Sequence, residues 1–193
     1  NARLYDAKDS LGVKLGLKAT VQDSVLMVRL ADTRPVIGYK TFTANADNYL
    51  SLHRGNRLSA VLTLKADDGT AVQLYTNDDN LEAQQDLTVS IHRLNLAEIV
   101  AAMPFLPDVT GTLNGDFHLV KTDRQLTVSS DMTVKQMTFE NNKFGDLGAE
   151  FVYMPNDDGT HYVDAVIHSN GLEVGNVVGT YSPEGQGNLD AEF

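Results

Sequence analysis

The side chains able to do chemistry are few, and their spacing builds no reactive centre. Histidine stands at His53, His92, His118, His161 and His168, and cysteine is absent. None of the five has an acid or a second histidine at a ligand spacing. His161 and His168 are an odd number of residues apart, so on one strand they face opposite ways. Without cysteine there is no thiolate metal site and no disulfide framework. The acidic pairs Asp67-Asp68, Asp78-Asp79 and Asp157-Asp158 carry oxygens that suit calcium, but they lack the every-second-residue carboxylate ladder of a calcium loop. Hairpin chemistry explains Asp67-Asp68-Gly69 and Asp157-Asp158-Gly159 better, because Gly takes the positive φ a tight turn needs. There is no G-x-S-x-G, no phosphate loop and no dinucleotide fingerprint. A hydrolase would need convergent carboxylates, and nothing singles out a pair among the 26 acids. The expectation is a protein that is not an enzyme and holds no cofactor and no metal.

What remains is a chain of apolar stripes. Hydrophobic residues make up 42% of its 193 positions, enough to bury a core or line a groove. A formal net charge of −11 opposes nucleic acid and opposes electrostatic docking on an anionic membrane surface. No apolar run approaches the length of a membrane span. No signal peptide is visible, the first residue is not Met, and ARLYDAK and NLDAEF read as interrupted strand at either end. These features predict one segment, 1–193, excised from a longer repetitive chain whose targeting signals lie elsewhere.

Period two dominates. Leu11, Val13, Leu15, Leu17, Ala19 and Val21 alternate with Gly12, Lys14, Gly16, Lys18, Thr20 and Gln22, which predicts one strand over 11–22 with a dry face and a wet face. Residues 25–30 read as a more deeply covered strand, and 36–46 and 48–53 as weaker ones. Leu58, Ala60, Leu62, Leu64 and Ala66 lead through Asp67-Asp68-Gly69 into a hairpin partner carrying Val72 and Leu74. Leu87, Val89 and Ile91 follow a polar loop at 77–85. Later strands carry Leu113, Phe117 and Leu119, then Leu126 to Phe139, Leu147 to Tyr153, 160–168, 172–181 and Leu189 to Phe193.

One helix interrupts the strands, at 96–103. Asn95 suits its N-cap, with Glu98 placed to bond back to the Asn95 backbone N–H and Leu94 and Ile99 placed as a hydrophobic staple. Leu96, Ile99, Val100 and Met103 lie along one stripe, and Pro104 and Pro107 stop the helix. It divides the chain into possible repeat units at about 11–92 and 109–193. A weak echo accompanies them, since Asp67-Asp68-Gly69-Thr70 recurs as Asp157-Asp158-Gly159-Thr160.

Alternation alone suits the inner face of a β-sandwich. Glycines inside strands, at 12, 16, 111 and 115, mark curvature or close approach and favour a long sheet curled into a trough. The fold class expected is mainly β, a long curved antiparallel sheet forming a groove with one short helix.

Residues 94–107, LNLAEIVAAMPFLP, followed by 109–119, VTGTLNGDFHL, resemble the recurring helix-then-GxLxGxxxL unit of the TamB and AsmA-like envelope proteins. Met137-Thr-Phe139 with the small turn Phe144-Gly-Asp-Leu147, and Leu172-Glu-Val174 with Gly179-Thr-Tyr181, resemble the same repeating sheet, so the similarity spans most of 86–193. The chain departs from the pattern in being very acidic. The resemblance implies a full-length protein anchored in the inner membrane of a diderm bacterium and extended through the periplasm. It implies phospholipid as cargo, and an Omp85-type outer-membrane barrel as a partner in outer-membrane protein assembly.

Joined to the stripes, the resemblance predicts acyl chains lying against Leu11, Val13, Leu15 and Leu17, against Leu62, Leu64, Val72 and Leu74, and against Val89, Ile91, Leu113, Phe117 and Leu119. Ile99, Val100 and Met103 of the helix would cap or line the groove. The rival expectation is a β-sandwich binding module or surface adhesin recognising glycan or protein. A sandwich would seal these residues between two layers, whereas a trough leaves them open along one side.

Overall fold

A computed structural model describes residues 2–5, 9–77, 83–102, 105–123, 125–182 and 187–192. Met103, Pro104, Asp78, Asp79 and Phe193 lie outside the described residues. The chain is mainly β, with one short helix and a large antiparallel sheet that does not close on itself. A small sheet is built from β1 (Ala2–Tyr5), β2 (Leu11–Leu15), β5 (Val36–Ile37) and β6 (Lys40–Thr41), paired in that order. The large sheet begins with β3 (Leu17–Gln22), β4 (Val25–Leu30), β7 (Thr43–Ala44), β8 (Tyr49–Leu52), β9 (Leu58–Lys65) and β10 (Ala71–Thr76). It continues with β11 (Gln85–Asn95), and then, after helix α1 (Leu96–Ala102), with β12 (Val109–Lys121) and β13 (Leu126–Phe139). It ends with β14 (Asn142–Pro155), β15 (His161–Ser169), β16 (Leu172–Tyr181) and β17 (Gly187–Glu192). From β8 onward each strand pairs with the next in sequence, and β4 and β3 extend the sheet beyond β8.

The turns follow from local chemistry. Asp23-Ser24, Glu140-Asn141 and Asn170-Gly171 each put two residues at positive φ, the two-residue hairpin turn whose twist matches the strands. Phe144-Gly-Asp-Leu147, read from sequence as a turn, instead lies within β14 as an irregularity of register. Gly69 and Gly159 close identical loops, with Gly69 N–H donating to Ala66 O and Gly159 N–H to Asn156 O, both at 3.1 Å. These two turns stand on opposite rims, because β9 to β14 is a step of five strands in an alternating sheet. Translation along the sheet therefore does not carry one Asp-Asp-Gly-Thr turn onto the other. We call the rim with α1 the upper one.

The uniform strand expected over 11–22 is broken. Gly16 ends β2, and the chain passes from the small sheet into the large one. The alternation persists across the break, so spacing alone could not reveal it. Ala31 N–H donates to Gly16 O at 2.8 Å, fixing the crossing point. The weak strand expected over 36–46 is three two-residue pieces, β5 to β7, folded back across the upper end of β9. There the core sits: Phe42, Ala44 and Leu64 are buried, and Leu30, Ile37, Leu62, Ala66 and Val72 pack against them.

α1 starts as its sequence directs. Asn95 Oδ1 accepts from Ala97 N–H at 3.1 Å. Glu98 meets the Asn95 side-chain amide at 3.4 Å, while Asn95 itself stays paired with Thr112 in the sheet. The helix packs on β12 and β2. Glycine permits the second contact: a Cβ on Gly12 would stand 3.3 Å from the Tyr39 ring and 3.5 Å from the Ala102 Cβ. Lys40 clamps the assembly, reaching Asp68 and Glu98 at 2.7 Å each while only 16% exposed.

Candidate functional site: the apolar face of the sheet

Register places the apolar positions in rows across neighbouring strands, since directly paired residues share a face. One row runs Leu62, Leu74, Val89, Phe117, Ser130, Phe151, Ala165, Val177 and Ala191, from β9 to β17. The row above it runs Leu64, Val72, Ile91, Gly115, Met132, Ala149, Ile167 and Gly175. Below lie Leu87, Leu119, Val128, Tyr153 and Val163. Toward the upper rim lie Leu94, Leu113, Val134 and Leu147. On the far side of β9 the same face continues through Leu50, Leu52, Leu26, Val28, Leu30 and Leu17.

The opposite face is wet and acidic. Thr63, Gln73, Ser90, Asp116, Asp131, Glu150, Val166, Asn176 and Glu192 form the row behind Leu62 to Ala191. Asp116, Asp131 and Glu150 are direct cross-strand neighbours, a like-charge arrangement that costs stability and keeps this side in solvent.

The two faces differ in what covers them. Over β9 and β10 the apolar face is roofed by Phe42 and Ile37, with Ala44 paired beside Leu64 on the floor, so Leu64, at 7% exposed, is a core position and not an open lining position. Leu62 and Val72 pack against that core as well. Leu11, Val13 and Leu15 belong to the small sheet; Val13 is paired with Ile37, so these residues belong to the roof and not to the floor of the large sheet. Leu17 stands on the floor at the outermost strand, 61% exposed. Beyond the roof the face stays accessible: Met132 is 41% and Ile167 44% exposed, and Leu74, Val89, Ile91, Leu113, Phe117 and Leu119 are half-buried. Ile99 and Val100 are half-buried in α1.

Bulges bend this face, as bulges do. Arg93 and Gln136 are inserted residues at positive φ, in β11 and β13. An Asx oxygen on the next strand satisfies each freed backbone N–H: Arg93 N–H donates to Asn114 Oδ1 at 2.9 Å, and Gln136 N–H to Asp146 Oδ1 at 2.8 Å. Asp146 N–H in turn donates to Asn170 Oδ1 at 3.1 Å. Gly115 is a point of close backbone approach, where a Cβ would stand 2.6 Å from Asp131 O.

The titratable groups sit around the apolar rows. Burial alone would lower the Lys40 ammonium, but its hydrogen bonds to Asp68 and Glu98 override this and hold it above its ordinary value. The Lys40 hydrogen bond, then those from Thr70, hold the Asp68 carboxyl far below the usual carboxylate range. Thr160 holds Asp158 low in the same way. These turn carboxylates are thus engaged by their own loops and by Lys40. Burial, then Tyr181, pushes the Tyr153 phenol up. Tyr153 hydrogen-bonds His161, whose ring stacks on Tyr181 with centroids 5.2 Å apart. His118 pairs with Asp86 at 2.8 Å on the wet face, a contact between strands that sequence spacing did not announce. Among the described residues, no group of three His, Cys, Asp or Glu side chains could hold a metal ion, and no helix is long and apolar enough to cross a membrane.

Sequence reading singled out the lining of β9 to β12 and missed its continuation through Met132, Phe151, Ile167 and Val177. Alternation was visible there too, but only register shows that the stripes align. No family model, curated protein or solved structure matches the chain.

Proposed function

We propose that this chain is a non-enzymatic segment of an envelope protein of the TamB and AsmA-like kind, whose apolar groove carries phospholipid acyl chains. On this reading it works in the periplasm of a diderm bacterium, between an inner-membrane anchor and an Omp85-type outer-membrane barrel. The observation that carries it is the unroofed part of the face. Rows of Val, Leu, Ile, Met, Phe and Ala continue from β11 to β17 with their side chains half-buried or exposed, while the opposite face is acidic. A water-facing protein rarely leaves an apolar patch so large without a ligand for it. Each acyl CH₂ taken from water gains about 0.8 kcal/mol, so holding a chain needs no specific residue. The cover over β9 and β10 is local, which favours a trough over a sealed sandwich adhesin.

The test is a charge on the open rows. Met132→Glu and Ile167→Glu alter side chains that already meet solvent, so both variants are expected to fold. Photo-cross-linking from Phe151 and native mass spectrometry after mild extraction read bound phospholipid. The expected result is loss of cross-linked and co-purified lipid in both variants. Undiminished lipid in folded variants, or no lipid on the parent protein, would sink the reading.

A further inference from the structure

At the lower rim the apolar face meets a cluster of cations. Among the described residues β10 ends at Thr76, short of the lower end of β9. Side chains take over the ladder: Leu58 N–H donates to Gln85 Oε1 at 2.7 Å, Gln85 Nε2 donates to Leu58 O at 2.9 Å, and Ala60 N–H donates to Thr76 Oγ1 at 3.0 Å. The gap opens a cavity of about 370 Å³ lined by Arg54, Gly55, Arg57, Gln84, Gln85 and Lys121. Three of the chain's 15 basic residues therefore surround one opening in a protein of net charge −11. They come from separate segments: the turn before β9 supplies both arginines, and the end of β12 supplies the lysine.

The position of the cavity gives it meaning. Gln85 and Lys121 are paired, and they occupy the same face as Leu87 and Leu119 in the row above. Arg54 is anchored on the same rim, donating to Ser24 Oγ at 2.9 Å. Among the described acids on this rim, Asp123 accepts a hydrogen bond from Gln84. Asp86, though adjacent in sequence to Gln85, points to the wet face, where it meets His118.

We infer that this cavity binds a phosphate group, and that on the acyl-groove reading it seats the headgroup of an anionic phospholipid whose tails lie on the rows above. Guanidinium forks match phosphate oxygens two at a time, and an ammonium adds a third positive charge. The same chemistry would accept inorganic phosphate, so the rim stands or falls separately from the groove.

The test uses the whole chain and the triple variant R54Q/R57Q/K121Q, which alters exposed side chains. Vesicles containing fluorescent phosphatidylglycerol, or equal amounts of fluorescent diacylglycerol, supply the lipid. The expected result is uptake of both by the parent protein. The triple variant then loses phosphatidylglycerol uptake about tenfold, as removal of one or two charge-assisted hydrogen bonds requires, and keeps diacylglycerol uptake. Equal phosphatidylglycerol uptake by parent and variant overturns the headgroup site and leaves the groove standing. If the parent takes up neither lipid, the groove reading fails, and titration with inorganic phosphate decides the rim. Saturable binding that the triple variant loses supports the phosphate site, and its absence overturns it.

Discussion

Lys40 is the residue on which the small sheet, the β9–β10 turn and α1 converge. Its ammonium contacts Asp68, Glu98 and, at 3.0 Å, Thr70 Oγ1. The sign of its pH dependence follows from both partners. The depressed Asp68 carboxyl contributes stability that is present above its ordinary value of 3.8 and lost as pH falls below it. The raised Lys40 ammonium contributes stability that is present below 10.5 and lost as pH rises through its elevated value. Thermal melts of the parent and Lys40→Met should therefore differ most on the plateau between these limits. The difference should narrow in acid below about pH 4 and in alkali above about pH 10.5. A constant difference from pH 3 to pH 11 would show that the clamp contributes only packing. None of this was legible in the sequence. Lys40 sits in a weak strand, and its partners are 28 and 58 positions away by residue number. By contrast Asn95 was legible, because an N-cap is a contact within one turn.

At the scale of elements, the bulged strands set the shape of the face. Arg93 and Gln136 would each leave a backbone N–H without a strand partner were it not for Asn114 and Asp146. Asn114→Ala should cost about 1 kcal/mol, the net worth of one such bond. It should also speed hydrogen exchange at the Arg93 amide, and unchanged exchange there would mean that the oxygen is incidental. Such bulges hide from period-two reading, because an inserted residue shifts the register of one strand while both flanking stretches still alternate. Sequence therefore gave nearly every strand but not where each one bends. It gave the apolar character of β2 and β3, but not the break at Gly16 that sends one to the roof and the other to the floor. Long strands with many ladder partners, such as β12, announced themselves, whereas two-residue strands such as β5 and β6 are too short to show an alternation.

The whole molecule has an uneven core. Every buried hydrophobic side chain among the described residues lies in the first third of the chain: Val36, Phe42, Ala44, Ala60 and Leu64. From β11 to β17 each strand pairs with its sequence neighbours in a simple meander. Stability in such an arrangement is close to a sum of neighbour terms, so it declines away from the roofed end. Amide exchange should be slowest in β9 and β10 and fastest in β16 and β17, with intermediate values in order between them. One common exchange rate along the sheet would contradict this. Beyond the roof the row from Leu74 to Ala191 crosses eight strands, about 34 Å at roughly 4.8 Å per step. A single hydrocarbon tail reaches about half the thickness of a bilayer interior, roughly 15 Å. On the acyl-groove reading such a track is more than two tails long, and the phosphate seat lies at one end of it, beside Gln85 and Lys121. Cargo on it would stand in single file, and each arrival would nudge the occupants along.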